Sequence, residues 1–318
     1  MTSDPYPVQV FNDVPPGLLR LLQAHLPRSI TLLRRLQFTT FPNGKTDVGR
    51  IVVASDVPLP EIDTPGQGVP TTRHFAATYI DPSRGLETNM WFYSTYEDSH
   101  GFITAAPPLS PEDNTLCRRQ IMAVLNEARR QGRDYPVQPL PAPDHILVGS
   151  LNNCIRDVAR ENGIRFGARP GAEYEKFIFN VDDLPEQRSL PDGMVWADAG
   201  PGDCELAKSR TSIPRTVKLL QTLPSQFIKL EDGTPVAWAF LGVDGSFSGV
   251  HCEEPFRKRG LAKAVGAKLI REKTSAYGQD SYSAADVAPE NVSSQAMCRS
   301  LGGKVHWAGS WSLINIRD

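Results

Sequence analysis

A strand-like run, a basic turn and a helix-like run follow one another in the last quarter of this chain. The strand-like run covers residues 246–250 and the helix-like run covers residues 261–277. Between them, Arg257, Gly260 and Ala262 fit the spacing Arg/Gln-x-x-Gly-x-Gly/Ala. Small residues at a helix start let a ligand approach backbone N–H groups that lack a partner within the helix. This order of elements predicts a binding turn fed by a strand.

The charge of the turn indicates what it binds. Lys258 and Arg259 stand beside Arg257, and the positive end of a helix dipole favours anions. These features together predict a cradle for a pyrophosphate and point to coenzyme A. The alternative is a basic turn before an amphipathic helix. Other nucleotide sites fit less well, because the chain has neither a Gly-x-x-x-x-Gly-Lys-Ser/Thr run nor a three-glycine dinucleotide fingerprint.

Length and composition exclude several classes of protein. The 318 residues suffice for two domains, and a net charge of −2 predicts neither nucleic-acid nor membrane binding. We find no secretory leader and no apolar run of about 18 residues, which favours a cytoplasmic protein and leaves a mitochondrial location open. The cysteines lack the spacing of a zinc site, so no metal is expected; they are Cys117, Cys154, Cys204, Cys252 and Cys298.

Hydrophobic patterns and turn signals predict the elements of the C-terminal part. In order, we expect a strand at 194–197, helices at 204–210 and 214–223, strands at 226–230, 236–243 and 247–253, a helix at 261–277, a strand at 282–287, a helix at 291–301 and strands through 305–316. This order is typical of an α/β domain with a mixed sheet.

The N-terminal part gives weaker signals. We expect a helix at 17–26, strands at 36–41, 50–54 and 88–95, a loop at 57–72, a helix at 111–130, a linker at 135–144, a strand at 145–149, a helix capped by Ser150, and a strand at 176–180. The proline-containing, charged segment 182–192 separates the two parts, so we predict domains at 1–190 and 191–318.

The C-terminal element order and the turn resemble the GNAT acyltransferase superfamily, and most closely its glycine N-acyltransferase-like branch. Four stretches carry the resemblance: Gln221-Thr222-Leu223-Pro224, Gly233-Thr234-Pro235-Val236-Ala237-Trp238, Phe256-Arg257-x-x-Gly260-Leu261 and Asn291-x-x-Ser294-Gln295-x-Met297-x-x-x-Leu301-Gly302. In that family the N-terminal domain is a diverged GNAT-like unit, so the resemblance implies a pseudo-tandem architecture.

The resemblance also implies the reaction, in which an amine directly attacks the thioester of acetyl-CoA or another acyl-CoA. Backbone groups of Val250 and Cys252 would meet the pantetheine arm and the thioester, and Asn291 would line the pantetheine side. The pyrophosphate would lie on the turn, whose residues are Arg257, Lys258, Arg259, Gly260, Leu261 and Ala262.

The general base is the point at which the chain departs from the family. Glycine acyltransferases carry Glu at the position of Ser246, and this chain has serine. On an unbroken strand, Asp244, Ser246 and Ser248 share one face. Asp244 could act as the base or be a solvent-exposed turn residue, and the two serines could hold a relaying water or be ordinary strand residues. A base from the N-terminal half is a third alternative.

Other polar residues have structural alternatives. Strand alternation directs His251 and Glu253 to the opposite face, which favours a structural histidine and a solvated rim charge. Cys298 occupies a position where many superfamily members carry an acid-donating tyrosine, and the alternative is a buried small hydrophobe. Arg210 or Arg215 could pair with an acceptor carboxylate or be a solvated helix-end arginine. His74 and His145 are interpreted as structural.

These observations predict an enzyme, an N-acyltransferase that moves an acyl group from acyl-CoA to a small amine or amino acid. The alternative is an inactive CoA-binding regulator or scaffold, since the cradle is present and the family base is missing. We expect a monomer or a homodimer.

Overall fold

The computed structural model describes residues 8–59, 72–169, 172–187 and 189–317. We call the residues up to 187 the N-terminal half and those from 189 the C-terminal half. The N-terminal half contains β1 (Gln9–Phe11), α1 (Leu18–Ala24), α2 (Ile30–Gln37), β2 (Arg50–Ser55), β3 (Phe75–Ile80), β4 (Met90–Ser94), α3 (Pro111–Asp134), β5 (His145–Asn152), α4 (Asn153–Glu161), β6 (Phe166–Gly167) and β7 (Glu173–Asn180). The C-terminal half contains β8 (Met194–Ala197), α5 (Pro201–Ser209), α6 (Val217–Leu220), β9 (Ser225–Leu230), β10 (Pro235–Leu241), β11 (Phe247–Cys252), α7 (Leu261–Lys273), β12 (Tyr282–Val287), α8 (Val292–Ser300) and β13 (Lys304–Asn315).

The same order of elements occurs twice along the chain. In each half a first strand is followed by two helices, three strands, a helix, a strand, a helix and a final strand, with the short β6 added in the N-terminal half. The repeated order makes the chain a tandem of two similar mixed α/β units, which confirms the predicted fold class. None of the described helices combines the length and apolar character that crossing a bilayer requires.

The strands form two sheets that meet beside β11. The larger sheet has the order β1-β2-β3-β4-β5-β13-β7-β12, with β6 on β13, and the smaller has the order β11-β10-β9-β8. A parallel bridge between Ser246 and Ala284 connects the smaller sheet to β12. The corresponding strands of the N-terminal half, β4 and β5, are also parallel and pair at Met90 and Val148.

The final strand of each half lies among strands of the other half. β13 pairs antiparallel with β5, where Gly309 faces Asn152, and with β7, where Gly309 faces Tyr174. β7 in turn pairs with β12 of the C-terminal half. The two halves therefore exchange strands, and each completes its sheet with a strand of its neighbour.

Helix α2 lies at the centre of the molecule, and its eight residues are all buried. Leu33 and Leu36 pack in a cluster with β2, β3 and β4. Arg34 donates hydrogen bonds to the Asp280 carboxylate and, at 2.7 Å, to the Tyr282 carbonyl. This helix therefore binds the N-terminal sheet to the β12 region of the C-terminal half.

The predicted strand at 36–41 is wrong. The segment consists of the end of α2 and a 3₁₀ turn at Phe38–Thr40. The stretch contains Phe38 and two threonines, residue types that are enriched in strands, but the buried Leu36 and Phe38 lie on helical turns. Strands β1 and β3 were not predicted; β3 contains two alanines, which are poor strand formers.

Most other predicted elements are confirmed within a few residues, including the amphipathic α7, whose Leu261, Val265 and Leu269 are buried. The prediction that Ser150 caps α4 is wrong. Asn152, not Ser150, accepts a hydrogen bond from the Cys154 N–H at 3.1 Å, while Ser150 belongs to β5. Of the predicted loop 57–72, residues 60–71 lie outside the described part of the chain.

Candidate functional site

A gap opens between β11 and β12. Among the described residues, the bridge from Ser246 to Ala284 is the pairing between this strand segment and β12, whereas β11 is paired with β10 along its other edge. Val250 and Cys252 follow on β11 beyond the bridge. Parallel strands that separate after one contact leave backbone groups available to a ligand lying between them.

The start of α7 lies at the end of this gap. Gly260 precedes the helix with φ 79°, a left-handed conformation that glycine adopts without strain. A Cβ added there would meet nothing within 4 Å, so the space in front of the helix start is open. Leu261 is buried and anchors the helix, while Ala262 is half-buried beside it.

Basic side chains surround the same helix start. Arg257, Lys258 and Arg259 are exposed. The Arg257 Nε donates to the Cys252 carbonyl at 3.0 Å and the Arg259 Nη2 donates to the Pro255 carbonyl at 3.1 Å, which stabilises the turn. The first four N–H groups of a helix have no partner within it. The turn therefore offers amides, positive charge and open space, as an anion requires.

A cavity of about 310 Å³ lies at the junction of the two halves. Both halves contribute to its wall. The charged and hydroxyl side chains among the described residues that line it are Arg35, Arg84, Glu87, Thr88, Arg169, Tyr174, Ser212, Arg215, Asp244, Ser246, Ser248 and Asp286. Three of the four residues singled out as candidates for the chemistry (Asp244, Ser246 and Ser248) thus lie together on this wall.

Asp244 is buried, with 6% of its surface exposed, so the expectation of a solvent-exposed turn residue is wrong. Its Oδ1 accepts hydrogen bonds from the Ser246 hydroxyl at 2.6 Å and the Ser246 N–H at 3.2 Å. These bonds hold the turn that leads into β11. Ser248 has a different partner, because its hydroxyl accepts a hydrogen bond from the Arg215 Nη2 at 3.0 Å.

A β-bulge interrupts β11 and changes the predicted side-chain directions. Ser248 pairs with Phe240, but His251 pairs with Trp238, so β11 contains one extra residue at this point. Gly249 has φ 63°, which is typical of a bulge. Because cross-strand partners share a face, His251 lies on the same face as Ser248, and the prediction of opposite faces is wrong.

His251 nevertheless packs as a structural side chain. Its ring stacks on Trp238 at 4.6 Å between centroids, and its Nε2 lies 3.7 Å from the Glu253 carboxylate. Glu253 also accepts a hydrogen bond from the Arg210 Nε at 3.0 Å. These three residues form a chain of contacts outside the cavity wall.

Two arginines were candidates for binding the carboxylate of an acceptor, and the structure places them in different surroundings. Arg210 is exposed and paired with Glu253. Arg215 lines the cavity, where burial lowers the pKa of its guanidinium and the charges of Asp244 and Glu87 oppose that shift. Only Arg215 of this pair meets the cavity, so it is the arginine that an anionic ligand would reach there.

Asn291 and Cys298 lie outside the cavity wall, on α8. Asn291 is exposed and caps the helix, accepting a hydrogen bond from the Ser294 N–H at 3.1 Å. Cys298 belongs to the hydrophobic core of the C-terminal half, and burial raises the pKa of its thiol to about 12. This environment favours the interpretation of Cys298 as a small hydrophobe. His74 contacts Asp113 and His145 contacts the Pro143 carbonyl, both away from the cavity.

A buried ion pair that no sequence pattern predicted adjoins the cavity through Asp286. Lys176 on β7 donates to the Asp286 carboxylate on β12 at 2.8 Å, and their side chains are 1% and 5% exposed. The Ser150 hydroxyl donates to the same carboxylate at 2.8 Å. Burial raises the pKa of Asp286 and Lys176 opposes that rise. An aspartate placed between Ala285 and Val287 in β12 was the available sequence signal.

Glu87 of the N-terminal half also escaped the sequence analysis. It lies just before β4, is half-buried and lines the cavity. Burial raises the pKa of its carboxyl, against hydrogen bonds from Thr216 and the charges of Arg84 and Arg215. Its surroundings come from segments far apart in sequence, so no local pattern marks it. Within the described residues, no cluster of three or more His, Cys, Asp or Glu side chains could hold a metal ion.

Solved structures with a similar fold include acyltransferases. An X-ray structure of a Drosophila protein aligns with TM-score 0.60 and 14% identity over 95% of each chain. A GCN5-related N-acetyltransferase from Sphaerobacter thermophilus aligns with TM-score 0.52 and 15% identity over 98% of this chain and 96% of that one. A tandem GNAT protein from the clavulanic acid biosynthesis pathway aligns with TM-score 0.51 and 8% identity over 98% and 99%. These similarities show the fold.

Sequence comparison identifies the family. No curated protein sequence matches the chain. The family model described as the acyl-CoA N-acyltransferase verG N-terminal domain matches residues 7–177, more than half of the chain. The chain therefore belongs to the verG-type acyl-CoA N-acyltransferase family, and its two halves form a pseudo-tandem GNAT fold.

Proposed function

We propose that this protein transfers an acyl group from acyl-CoA to the amine of a small molecule, with the C-terminal half binding the donor. One observation carries the proposal: Ser246 and Ser248 line the cavity, and the same strand, β11, leads to the basic turn before α7. A donor held by its pyrophosphate at Gly260 and extended along β11 would bring its thioester to the cavity. A strand about 20 Å long suits such a role.

The donor site in this proposal uses the residues that the sequence singled out. Arg257, Lys258, Arg259, Gly260 and Ala262 would hold the pyrophosphate, and the backbone of Val250 and Cys252 would meet the pantetheine. The exposed Asn291 at the start of α8 would line the pantetheine side. Backbone N–H groups of β11 would stabilise the developing oxyanion of the thioester.

The acceptor site in this proposal is the cavity. A volume of about 310 Å³ is at the lower end of small-molecule sites, and the N-terminal half covers one side of it. Arg215 offers a guanidinium that can pair with a carboxylate. We therefore propose an amine that carries a carboxylate, such as an amino acid, in agreement with the resemblance to glycine N-acyltransferase-like enzymes.

The mechanism in this proposal is direct transfer. The amine nitrogen forms the C–N bond as the thioester C–S bond breaks, and CoA leaves as a thiol after taking a proton. Holding both reactants in one cavity supplies most of the rate enhancement. A carboxylate or a water held by Ser246 and Ser248 would take the ammonium proton.

The test is thiol release from acetyl-CoA and longer acyl-CoAs in the presence of a panel of amines. We expect release that depends on both reactants and is faster for amines with a carboxylate. A second candidate is a CoA-binding regulator, which the serine at position 246 and the buried Cys298 favour. Calorimetric binding of acetyl-CoA without turnover on any amine would support that candidate and overturn the transferase.

The setting of this activity is also a proposal. All five cysteines are free in the structure, which is typical of a reducing compartment such as the cytoplasm. We propose a cytoplasmic monomer or homodimer that uses no metal and acts on neither nucleic acid nor membrane.

A further inference from the structure

Three carboxylates among the described residues line the cavity, and two of them have strong partners inside the protein. Both oxygens of Asp286 accept hydrogen bonds, one of them from its ion-pair partner Lys176. Asp244 accepts two hydrogen bonds from Ser246 and holds the turn before β11. A proton on either of these carboxylates would displace hydrogen bonds that hold the local structure, so both are already engaged. Glu87 is the third.

Glu87 is placed for a different role. It follows the 3₁₀ turn Pro82–Arg84, and its N–H donates to the Arg84 carbonyl at 3.1 Å. Among the described residues, no cation lies within ion-pair distance of its carboxylate; Thr216 hydrogen-bonds it, while Arg84 and Arg215 act on it as nearby charges. A half-buried carboxylate without an ion pair keeps the capacity to take a proton.

Arg215 connects Glu87 to the acyl-transfer strand. Its Nη2 donates to the Ser248 hydroxyl at 3.0 Å. The charges of Asp244 and Glu87 act on its guanidinium and raise its pKa against the effect of burial. Arg215 and Glu87 line the same cavity without an ion pair between them, so a ligand can lie between the two charges. An acceptor whose carboxylate pairs with Arg215 would lie in the cavity that Glu87 also lines.

We propose that Glu87, a residue of the N-terminal half, is the general base of the reaction and takes the place of the carboxylate that is absent at position 246. This inference rests on the proposed function. In the step, Glu87 accepts a proton from the ammonium, and the freed nitrogen lone pair forms the C–N bond. The C–S electron pair leaves with CoA as a thiolate, and the new amide nitrogen gives its second proton to that thiolate, so the products are the amide and the CoA thiol. Glu87 releases its proton to solvent before the next cycle.

The burial of Glu87 and the charges around it affect how readily its carboxylate takes a proton. Burial raises the pKa of the Glu87 carboxyl from its ordinary value, which brings it nearer to that of the ammonium proton it must take. The charged groups that face it are Arg84 on its own segment and Arg215 across the cavity, and both oppose the rise. An acceptor carboxylate would neutralise Arg215 and so weaken one of the two opposing charges.

The experiment measures kcat across pH 5–9 with saturating acetyl-CoA and acceptor for the wild type and four variants. Glu87→Gln removes the proton acceptor while keeping the shape, and Glu87→Asp keeps a carboxylate at shorter reach. Asp244→Asn tests the rival carboxylate. Glu231→Gln is the matched control, because Glu231 is exposed in the turn between β9 and β10. Calorimetry with acetyl-CoA and circular dichroism monitor donor binding and folding.

We expect kcat of the wild type to rise with pH. Glu87→Gln should lower kcat about 100-fold and abolish that rise, while acetyl-CoA binding is unchanged. Glu87→Asp should retain that rise with a lower kcat. A Glu87→Gln enzyme with the wild-type pH dependence, or loss of that dependence in Asp244→Asn alone, would overturn the assignment of Glu87 and leave the transferase intact. Wild-type protein that binds acetyl-CoA without any turnover would overturn both.

Discussion

Arg215 donates a 3.0 Å hydrogen bond to Ser248, which fixes the segment before α6 against the strand that carries the site. The bond uses one of the guanidinium's N–H donors, and the same side chain lines the cavity. Because Ser248 is a neutral partner, the Arg215 guanidinium can still form an ion pair with a carboxylate of a ligand.

Replacing Arg215 by alanine should therefore weaken binding of acceptors that carry a carboxylate. A hydrogen bond to a charged group contributes about 1.5–3 kcal/mol, so we expect KM to rise about 10- to 100-fold. Simple alkylamines should be unaffected. Arg210→Ala is the matched control, since Arg210 is exposed and paired with Glu253. Equal losses for both classes of amine would exclude carboxylate recognition by Arg215.

Replacing Gly260 by glutamate should abolish CoA binding. The substitution places a negative side chain in the open space before α7 and also strains a backbone at φ 79°. Gly193→Glu separates the two effects, because Gly193 has φ 75° and equally open surroundings near β8. We expect similar thermal stability for both variants and calorimetric CoA binding for Gly193→Glu alone. Retained affinity in Gly260→Glu would remove the donor site from this turn.

Replacing Lys176 by methionine should destabilise the protein in a pH-dependent way. It leaves the Asp286 carboxylate buried without its cation, at a cost of about 3–5 kcal/mol at pH 7. Lys176 lowers the pKa of Asp286, so its removal raises that pKa further. A carboxyl whose pKa is higher in the folded state loses stability as pH rises through it, so the cost should shrink at pH 4.

Urea unfolding at the two pH values measures this difference. Lys45→Met is the control, because Lys45 and Asp13 form an exposed pair that contributes about 1 kcal/mol or less. An equal cost for Lys176→Met at pH 4 and pH 7 would show that the ammonium acts through packing and not through the charge of Asp286.

Glu97 gives a second pH-dependent prediction. Burial raises its pKa to about 8, so it is protonated in the folded state at neutral pH. Stability should therefore fall as pH rises from the unfolded value through 8. Glu97→Gln keeps an acceptor for the Ser94 N–H, which lies 3.0 Å from Oε1. We expect the variant to match the wild type at pH 5 and to be more stable at pH 9. If the stability of the wild type and that of Glu97→Gln change with pH in the same way, the raised pKa of Glu97 is contradicted.

The two halves should not fold separately. We propose units at 1–190 and 191–318, yet β13 lies between β5 and β7 of the N-terminal half. Each fragment alone would lack a central strand and expose unpaired backbone groups. We expect little cooperative unfolding by circular dichroism from either fragment, and recovery of structure when the two are mixed. A fragment 191–318 with a sharp thermal transition would argue against this dependence.

Sequence patterns predicted what is local. The turn at Gly260 and the helix after it depend on adjacent residues, and the structure has them in the predicted order. The bulge at Gly249 depends on how β11 pairs with β10, so alternation gave His251 the wrong face. Residues 36–41 were predicted as a strand from their residue types, whereas Leu36 and Gln37 end helix α2 and Phe38–Thr40 form a 3₁₀ turn.

Local sequence patterns could not predict the cavity. Glu87, Arg215 and Asp286 are separated by more than 70 residues at each step and meet only because the two halves pack together. The exchange of β7 and β13 brings Lys176 to Asp286, and neither residue alone indicates the other. Pairing between segments so far apart in the chain leaves no local pattern in the sequence.

The position of β13 has a consequence for biosynthesis. The strand that completes the sheet beside β5 is made about 150 residues after β5 itself, so the N-terminal half must leave the ribosome with an unfilled slot in its sheet. Contacts between such distant segments form late and slow the search for the native state. Until the last strand docks, two open strand edges are available to other chains, and this interval is when the nascent protein most needs chaperone protection.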